Sequence, residues 1–292
     1  MKREKSLRRR LAGLRLLNDA VGALKSLASV HFQSARKTLT EARTYRAGVE
    51  TLLPVLRPVG RPRTSAPPGL LLVASDIGLC GDYNIRLAAA AAEAASGAAS
   101  NAAARNAAAR NANAERPVVY CVGRRGRNAL VRAGLEPRRE YAMPTGVAGL
   151  TTLVLKLAGD LLDDYRAGRI SGLQMISARF EGAGRFSPVR SDVLPPPASG
   201  ADPPPISSYV DPGRLAVVVV REFVYIVLYQ ALLDALAAEH GMRLVAVESA
   251  GGWLDERIGQ VRRELSAVRR ERATQEVIEI TAGYRVRRAA SR

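Results

Sequence analysis

The sequence predicts an α/β protein in which long N- and C-terminal helices form an antiparallel coiled coil and a small α/β domain occupies the chain between them. Three observations lead there. Along residues 7 to 56 an apolar residue stands at every seventh position: Leu7, Leu14, Val21, Ala28, Ala35, Ala42, Val49 and Leu56. Leu17, Leu24, His31, Thr38, Tyr45 and Leu52 follow three residues later, the spacing of a left-handed coiled-coil seam. Along residues 213 to 285 a second stripe, Leu244, Val247, Gly251, Leu254, Ile258, Val261, Leu265 and Val268, steps by three and four with charged residues between, so two such helices would bury each other's stripes. Between them, strand-like and helix-like apolar runs alternate.

The first element, residues 1 to 58, is the N-terminal coil helix. Gly69 to Ser75, introduced by Pro67 and Pro68, is an apolar run suited to a buried parallel strand. A turn and a helix from about Ile85 to Ala95 follow, then residues 96 to 115, low in complexity and without an apolar stripe, which read as a surface extension. Pro117 to Val122 is a second strand, Arg124 to Ala133 a short helix, and Leu150 to Arg166 another. Gly172 to Phe180 alternates as a half-exposed strand, with Arg185 to Leu194 returning antiparallel to it. The sequence places this Rossmann-like domain at 69 to 205, closed by a proline-rich loop at 195 to 205. The C-terminal coil helix takes 213 to 288, with the tetravaline run Val217 to Val220 its weakest helical stretch.

Composition narrows the function. Aromatics make up only 5% of 292 residues, so the buried surface must come from small aliphatic side chains that suit close helix packing. Cys80 and Cys121 are too few for a disulfide framework. Met1 to Arg15 is basic and periodic, so no secretory signal is expected. The apolar run Leu215 to Tyr229 is shorter than the roughly 20 residues of a bilayer span and holds Arg221 and Glu222. The net charge of +17 calls for an acidic partner.

Chemistry-bearing patterns are sparse. The turn after the first strand holds Gly78 and Gly81 but neither dinucleotide nor P-loop spacing. Arg124, Arg125 and Arg127 around Gly126 could hold an anion at a helix N-terminus, although a solvated turn is the plainer reading. Cys80 would need His31 or His240 as base, and both histidines fall on or beside the coil seam as packing residues. Asp163 and Asp164 read as a solvated pair at a helix end. No catalytic, cofactor-binding or metal-ligating set is expected.

Several motifs carry a family resemblance in matching order over nearly the whole chain. Thr274 to Gly283, TQEVIEITAG, resembles the C-terminal signature of the gamma subunit of F-type ATP synthases: T-Q-E, apolar, any, E-I, two residues, G. Asp76 to Asn84 is similar to that family's D-R-G-L-C-G-G-F-N, again directly after an apolar strand. Leu7-Arg8 with Leu11-Ala12 resembles I-R-x-x-I-A, and Arg43-Thr44-Tyr45 resembles R-P-Y. Leu228 to Leu232 resembles V-Y-Q-G-L, and Glu239 with Arg243 resembles S-E-x-x-A-R.

The resemblance implies a rotor: a coiled coil turning inside a hexamer of alternating alpha and beta subunits, with the α/β domain at the c-ring and an epsilon subunit beside it. Torque then passes between the ring and the catalytic sites of a proton-translocating complex on the cytoplasmic side of a bacterial membrane, and the chain itself catalyses nothing. It implies that Arg269, Arg270, Thr274 and Gln275 meet the beta catch loop, and that Leu14, Val21, Leu24, Ala28, Leu254, Ile258, Val261, Leu265 and Val268 pack the coil.

Departures from the pattern fit a divergent or alternate-type bacterial member. Asp19 to Leu24 lacks the two lysines and the methionine of K-I-T-K-A-M, and Arg270 replaces the catch glutamine. Gly251-Gly252 in mid-helix could kink it. Val261, Leu265 and Val268 are expected near the end of the coil, covered in part only by an enclosing sleeve. A basic coiled-coil nucleic-acid-binding protein is the alternative, with Lys2 to Arg10 and Arg257 to Arg272 on phosphates; against it, aromatics are not interleaved with the basic residues. A small-molecule enzyme on the α/β body is a third class, weakened by the missing phosphate loop.

Overall fold

The computed structural model describes residues 2–55, 66–106, 116–182, 184–197 and 211–290. Leu56, residues 107–115 of the low-complexity stretch and residues 198–205 of the proline-rich loop lie outside the described residues. The element order is α1 (Lys2–Glu50), a 3-10 turn (Leu53–Val55), β1 (Gly69–Val73), α2 (Tyr83–Asn106), β2 (Val118–Val122), α3 (Arg124–Arg132), β3 (Arg139–Tyr141), a 3-10 turn (Val147–Gly149), α4 (Leu150–Arg166), β4 (Leu173–Gly182), β5 (Arg185–Leu194) and α5 (Pro212–Ala290). The chain divides into two units, Leu27–Ala246 and Met1–Ser26 with Val247–Arg292.

In the unit Leu27–Ala246 five strands form one sheet in the order β3-β2-β1-β4-β5. The first three pairings are parallel and β5 returns antiparallel along β4. Strand periodicity sorts the side chains into two layers. Leu71, Val73, Tyr120, Val122 and Met175 face α4, the second half of α1 and the first part of α5. Leu70, Leu72, Val119, Cys121 and Ile176 face α2 and α3. Both faces are covered, which is why β1 and β2 read as continuous apolar runs.

Three expectations are corrected here. Between the helices at 124–133 and 150–166 the sequence offers no strand, because Arg139, Glu140 and Tyr141 carry no apolar alternation, yet these three residues form β3 and pair in parallel with Tyr120–Val122. The helix placed at Ile85 to Ala95 runs on to Asn106, because the alanines there are the best helix formers. Asp164 is fully buried while its neighbour Asp163 is exposed. A bent network explains the burial: Tyr120 Oη donates to Asp164 at 2.6 Å and Arg169 Nε donates at 2.6 Å. Burial alone would raise the Asp164 carboxyl, but these donors and the charges of Arg139 and Arg169 hold it below its ordinary value.

The start of α5 is helical throughout the tetravaline run, with Val219 buried and Val217 and Val218 exposed. α5 is long and apolar enough to cross a membrane by length and composition, with a mean hydropathy of 1.9 over an 18-residue window. Half of that window is buried inside the protein, and Phe223, Val224, Val227, Leu228 and Leu232 belong to the core beside the sheet.

In the unit of Met1–Ser26 and Val247–Arg292 the helices run antiparallel. Glu4 meets Arg269, Asn18 Nδ2 donates to Asp255 at 2.9 Å, and Lys25 Nζ lies 2.9 Å from Glu248, so partners descend along α5 as α1 ascends. Leu11, Ile258, Val261 and Leu265 form the core of this unit, with Leu7 and Leu14 against it. α5 passes through Gly251 and Gly252 as one helix. A side chain at Gly251 would stand 3.8 Å from Val21 Cγ1.

Two details of the coil differ from the sequence reading. The row that accompanies the seventh-position residues of α1 lies four residues on, not three. Leu11, Phe32, Leu39 and Leu53 are buried, whereas Leu17 is 57% and Tyr45 53% exposed. A step of four turns about 40° forward around a helix and a step of three about 60° back, so both rows flank the seam; the larger apolar side chains sit in the first. Second, Val261 and Leu265 are buried, because the start of α1 covers them.

Candidate functional site

The coil unit ends in a cluster of arginines organised by one carboxylate. Glu4 is the sole buried residue of Lys2–Arg10, 6% exposed. Its Oε1 accepts from Arg8 Nη2 at 2.5 Å and from Arg269 Nε at 3.2 Å, and its Oε2 accepts from Arg272 Nη1 at 3.3 Å. The hydrogen bond from Arg8, then that from Arg269, outweigh burial and hold this carboxyl below its ordinary value. Arg272 Nε also donates to Glu276 at 2.8 Å. Arg8, Arg15, Arg262 and Arg269 line an open groove floored by Leu11, Ala12, Leu265 and Ser266.

Every residue from Arg269 to Ala282 is exposed. Val277, Ile278 and Ile280, at 63%, 56% and 72% exposure, therefore present apolar surface to solvent. Of the residues expected to contact a partner, Arg269 is engaged by Glu4, and Arg270 is exposed. Thr274 Oγ1 donates back to the Arg270 carbonyl at 3.0 Å, and Gln275 Nε2 donates to Glu279 at 3.0 Å. Of the residues expected to pack the coil, Ala28, Leu254, Ile258, Val261 and Leu265 are buried and Leu14, Val21, Leu24 and Val268 are half-buried.

In the α/β unit, the ends of β1 and β2 are where a fold of this class would bind a nucleotide, at helix N-termini beyond the strand ends. The chain's own groups fill that place. Asp76 Oδ1 accepts from the Arg124 amide, the first of α3, at 3.0 Å, and from the Met143 amide at 3.0 Å; Asp76 Oδ2 accepts from Arg124 Nε at 2.7 Å. Burial would raise the Asp76 carboxyl, but the Met143 and Arg124 donors depress it. The second amide of α3, that of Arg125, donates to the Ser75 carbonyl at 3.0 Å. Asn84 folds back from the start of α2, its Oδ1 accepting from the Ser75 amide at 3.1 Å and its Nδ2 donating to Ser75 Oγ at 2.8 Å. The anion reading of Arg124–Arg127 is thereby answered from within the chain.

From α5, buried Arg243 closes the same turn. Its Nε donates to the Gly78 carbonyl and an Nη to the Ile77 carbonyl, each at 3.2 Å, and it also donates to Glu239. The turn it holds includes Leu79 at φ 60°, in the left-handed region. Arg243 Nη1 lies 2.9 Å from His240 Nδ1, which must accept, so His240 Nε2 carries the proton donated to the Thr145 carbonyl at 3.0 Å. Burial, then the charge of Arg243, lowers His240 to about 4. His31 stacks on it with ring centroids 5.1 Å apart.

These contacts deny Cys80 a base. Its Sγ lies 3.7 Å from Ser75 Oγ and 3.4 Å from Asn84 Nδ2 and donates to the Ile77 carbonyl at 3.8 Å, and burial raises the thiol. Among the described residues no group of three or more His, Cys, Asp or Glu could hold a metal. Sequence reasoning missed Glu4 and Arg272, and it recognised the turn and the Glu239–Arg243 pair without joining them. The four-residue spacing of Glu239 and Arg243 was the available signal for the pair; nothing local in the sequence links either to a turn some 160 residues earlier.

The comparisons with known proteins cover the same span. The family whose sequence profile matches residues 3–285 is described as ATP synthase. The ATP synthase gamma chain of Moorella thermoacetica is 27% identical over 293 residues, covering 96% of this chain and 97% of its own. That of Nitratidesulfovibrio vulgaris strain Hildenborough is 25% identical over 299 residues with the same coverage. A chain of the Euglena gracilis mitochondrial ATP synthase, solved in rotational state 3 with its c-ring, aligns at a TM-score of 0.63 and 14% identity, over 100% of this chain and 96% of that one.

Proposed function

The chain belongs to the ATP synthase gamma-subunit family, and on that premise we propose that it is the central-stalk rotor of a rotary proton-translocating ATP synthase. It transmits torque between the c-ring and a catalytic hexamer of alpha and beta subunits, with an epsilon subunit beside it. The observation that carries this reading is the run of α5 from Arg269 to Ala282, wholly exposed, with Val277, Ile278 and Ile280 bare. A solitary helix end with that much apolar surface needs an enclosing sleeve.

Among the described residues the crevice beyond β1 and β2 is filled by Asp76, Asn84 and Arg243, which supports a non-catalytic subunit whose nucleotide chemistry belongs to the beta subunits. Arg269, Arg270, Thr274 and Gln275 form the contact to the beta catch loop, whose acidic side chains the arginines would pair with. The subunit is peripheral, on the cytoplasmic side of a bacterial plasma membrane, held there through the complex. The nucleic-acid alternative is not favoured, since the family profile spans both helices and the α/β body together.

The test replaces Arg269, Arg270 and Gln275 together with Ala in the reconstituted complex. Nucleotide binding is expected to survive while multisite hydrolysis and ion pumping fall together. Wild-type hydrolysis and pumping in this triple variant would show that the catch assignment is wrong.

A further inference from the structure

We propose that Glu4 is a positioning residue for the contact with the catch loop, holding the guanidinium of Arg269 with its free Nη groups presented to a partner carboxylate. The inference rests on the reading of Arg269 as part of that contact.

Glu4 and Arg269 lie 265 positions apart in the chain, and the hydrogen bond between them uses only Nε of Arg269. Among the described residues its two Nη groups, with four N–H donors, meet no acceptor and remain for a partner. The Arg269 side chain is exposed, whereas the carboxylate that holds it is buried. The hidden partner is thus the anchor and the exposed one the presented group. The two oxygens of Glu4 divide the work: Oε1 serves Arg8 and Arg269, and Oε2 serves Arg272.

Charge points the same way. Glu4 and Glu276 together face Arg8, Arg269 and Arg272, so the cluster keeps a positive surplus that one further carboxylate would balance. A long, unanchored arginine loses rotamer freedom when it binds. One already fixed at Nε loses less, and the contact is correspondingly stronger.

A plain staple between the helix ends would use the same ion pairs, so the experiment must separate the two roles. Glu4→Gln, Arg269→Ala and the double variant are built into the complete complex, and hydrolysis and pumping are expressed per assembled complex, so that lost assembly does not mimic lost coupling. Glu4→Gln is expected to lower both activities about three- to fivefold, the scale of one exposed ion pair. Arg269→Ala is expected to lower them at least as much, and the double variant to match Arg269→Ala alone, because Glu4 acts through that side chain. Additive losses in the double variant overturn the proposal in favour of a staple. An effect of Arg269→Ala with none from Glu4→Gln overturns the proposal and leaves the catch reading standing. No effect from either overturns both.

Discussion

Glu239 accepts a hydrogen bond from Arg243, one turn further along α5, and both side chains are almost closed to solvent. Burial raises the Glu239 carboxyl to about 7 even though Arg243 opposes the shift, and burial lowers the adjacent His240 to about 4. The two groups therefore oppose each other in one pH window. The folded state keeps a proton on Glu239 that the unfolded chain releases above its ordinary value of 4.5, so this group's contribution is lost as pH rises toward 7. The unfolded chain protonates His240 below its ordinary 6.5 while the folded state resists until about 4, so this contribution is lost as pH falls.

The contributions of these two groups are accordingly expected to offset each other from about pH 4.5 to 6.5, each alone being limited to a slope of ~1.4 kcal/mol per pH unit. His240→Gln should give a stability that declines as pH rises through this window. Glu239→Gln should give one that declines as pH falls. Urea midpoints in dilute solution across the window check the signs, and parallel profiles for the two variants would refute the assignment.

Glycines along this chain divide by what a Cβ would meet. At Gly126 it would stand 2.3 Å from Ala74 Cβ, and at Gly123, where φ is 99°, 2.6 Å from the Ala74 carbonyl oxygen. Gly126→Ala should destabilise by about 1–3 kcal/mol through overpacking, and Gly123→Ala by more, since its φ is one that side chains rarely adopt and three backbone atoms of Ala74 and Ser75 would crowd the new Cβ. Gly13→Ala meets nothing within 4 Å in mid-helix and should stabilise by about 0.5–1 kcal/mol. Thermal midpoints of the three variants give the order.

Ile258 in the coil core and Ile278 on the bare end of α5 are the same residue type on the same helix. Ile258→Ala should cost about 2–5 kcal/mol in denaturant unfolding, and Ile278→Ala within about 0.5 kcal/mol. Replacing Val277, Ile278 and Ile280 with Ser should make the isolated chain more soluble, measured by light scattering, and should leave its melting temperature in place.

Around Asp164, Tyr120→Phe removes one donor and should cost about 1 kcal/mol. Asp164→Ala leaves the Tyr120 hydroxyl without its acceptor and Arg169 without its carboxylate, and should cost about 3 kcal/mol. Near-neutral unfolding energies for Asp164→Ala would mean that water replaces the carboxylate.

How far the sequence could be read follows from which forces leave a periodic trace. Leu254, Ile258, Val261 and Leu265 announce a buried stripe because an α-helix repeats its face. Leu70–Val73 and Val119–Val122 announce strands because both faces of the sheet are covered. β3 left no such trace, since three residues at an edge are held by backbone pairing with β2. Nor could periodicity choose between the rows at Leu17 and Leu11, because both flank the same seam and only the partner helix decides. The Glu4 cluster depends on the register of helices whose contacting residues are separated by 265 positions, and Asp164 looked solvated because charge is a poor guide where two donors converge on a carboxylate.

Asp76 gives the α/β body a character of its own. By lodging its carboxylate on the Arg124 and Met143 amides, the chain carries a permanent internal substitute for the phosphate that such a site would otherwise recruit. The turn beyond β1 is thus braced by a group that cannot diffuse away, and the register between α3 and the Met143 segment is set by the fold itself.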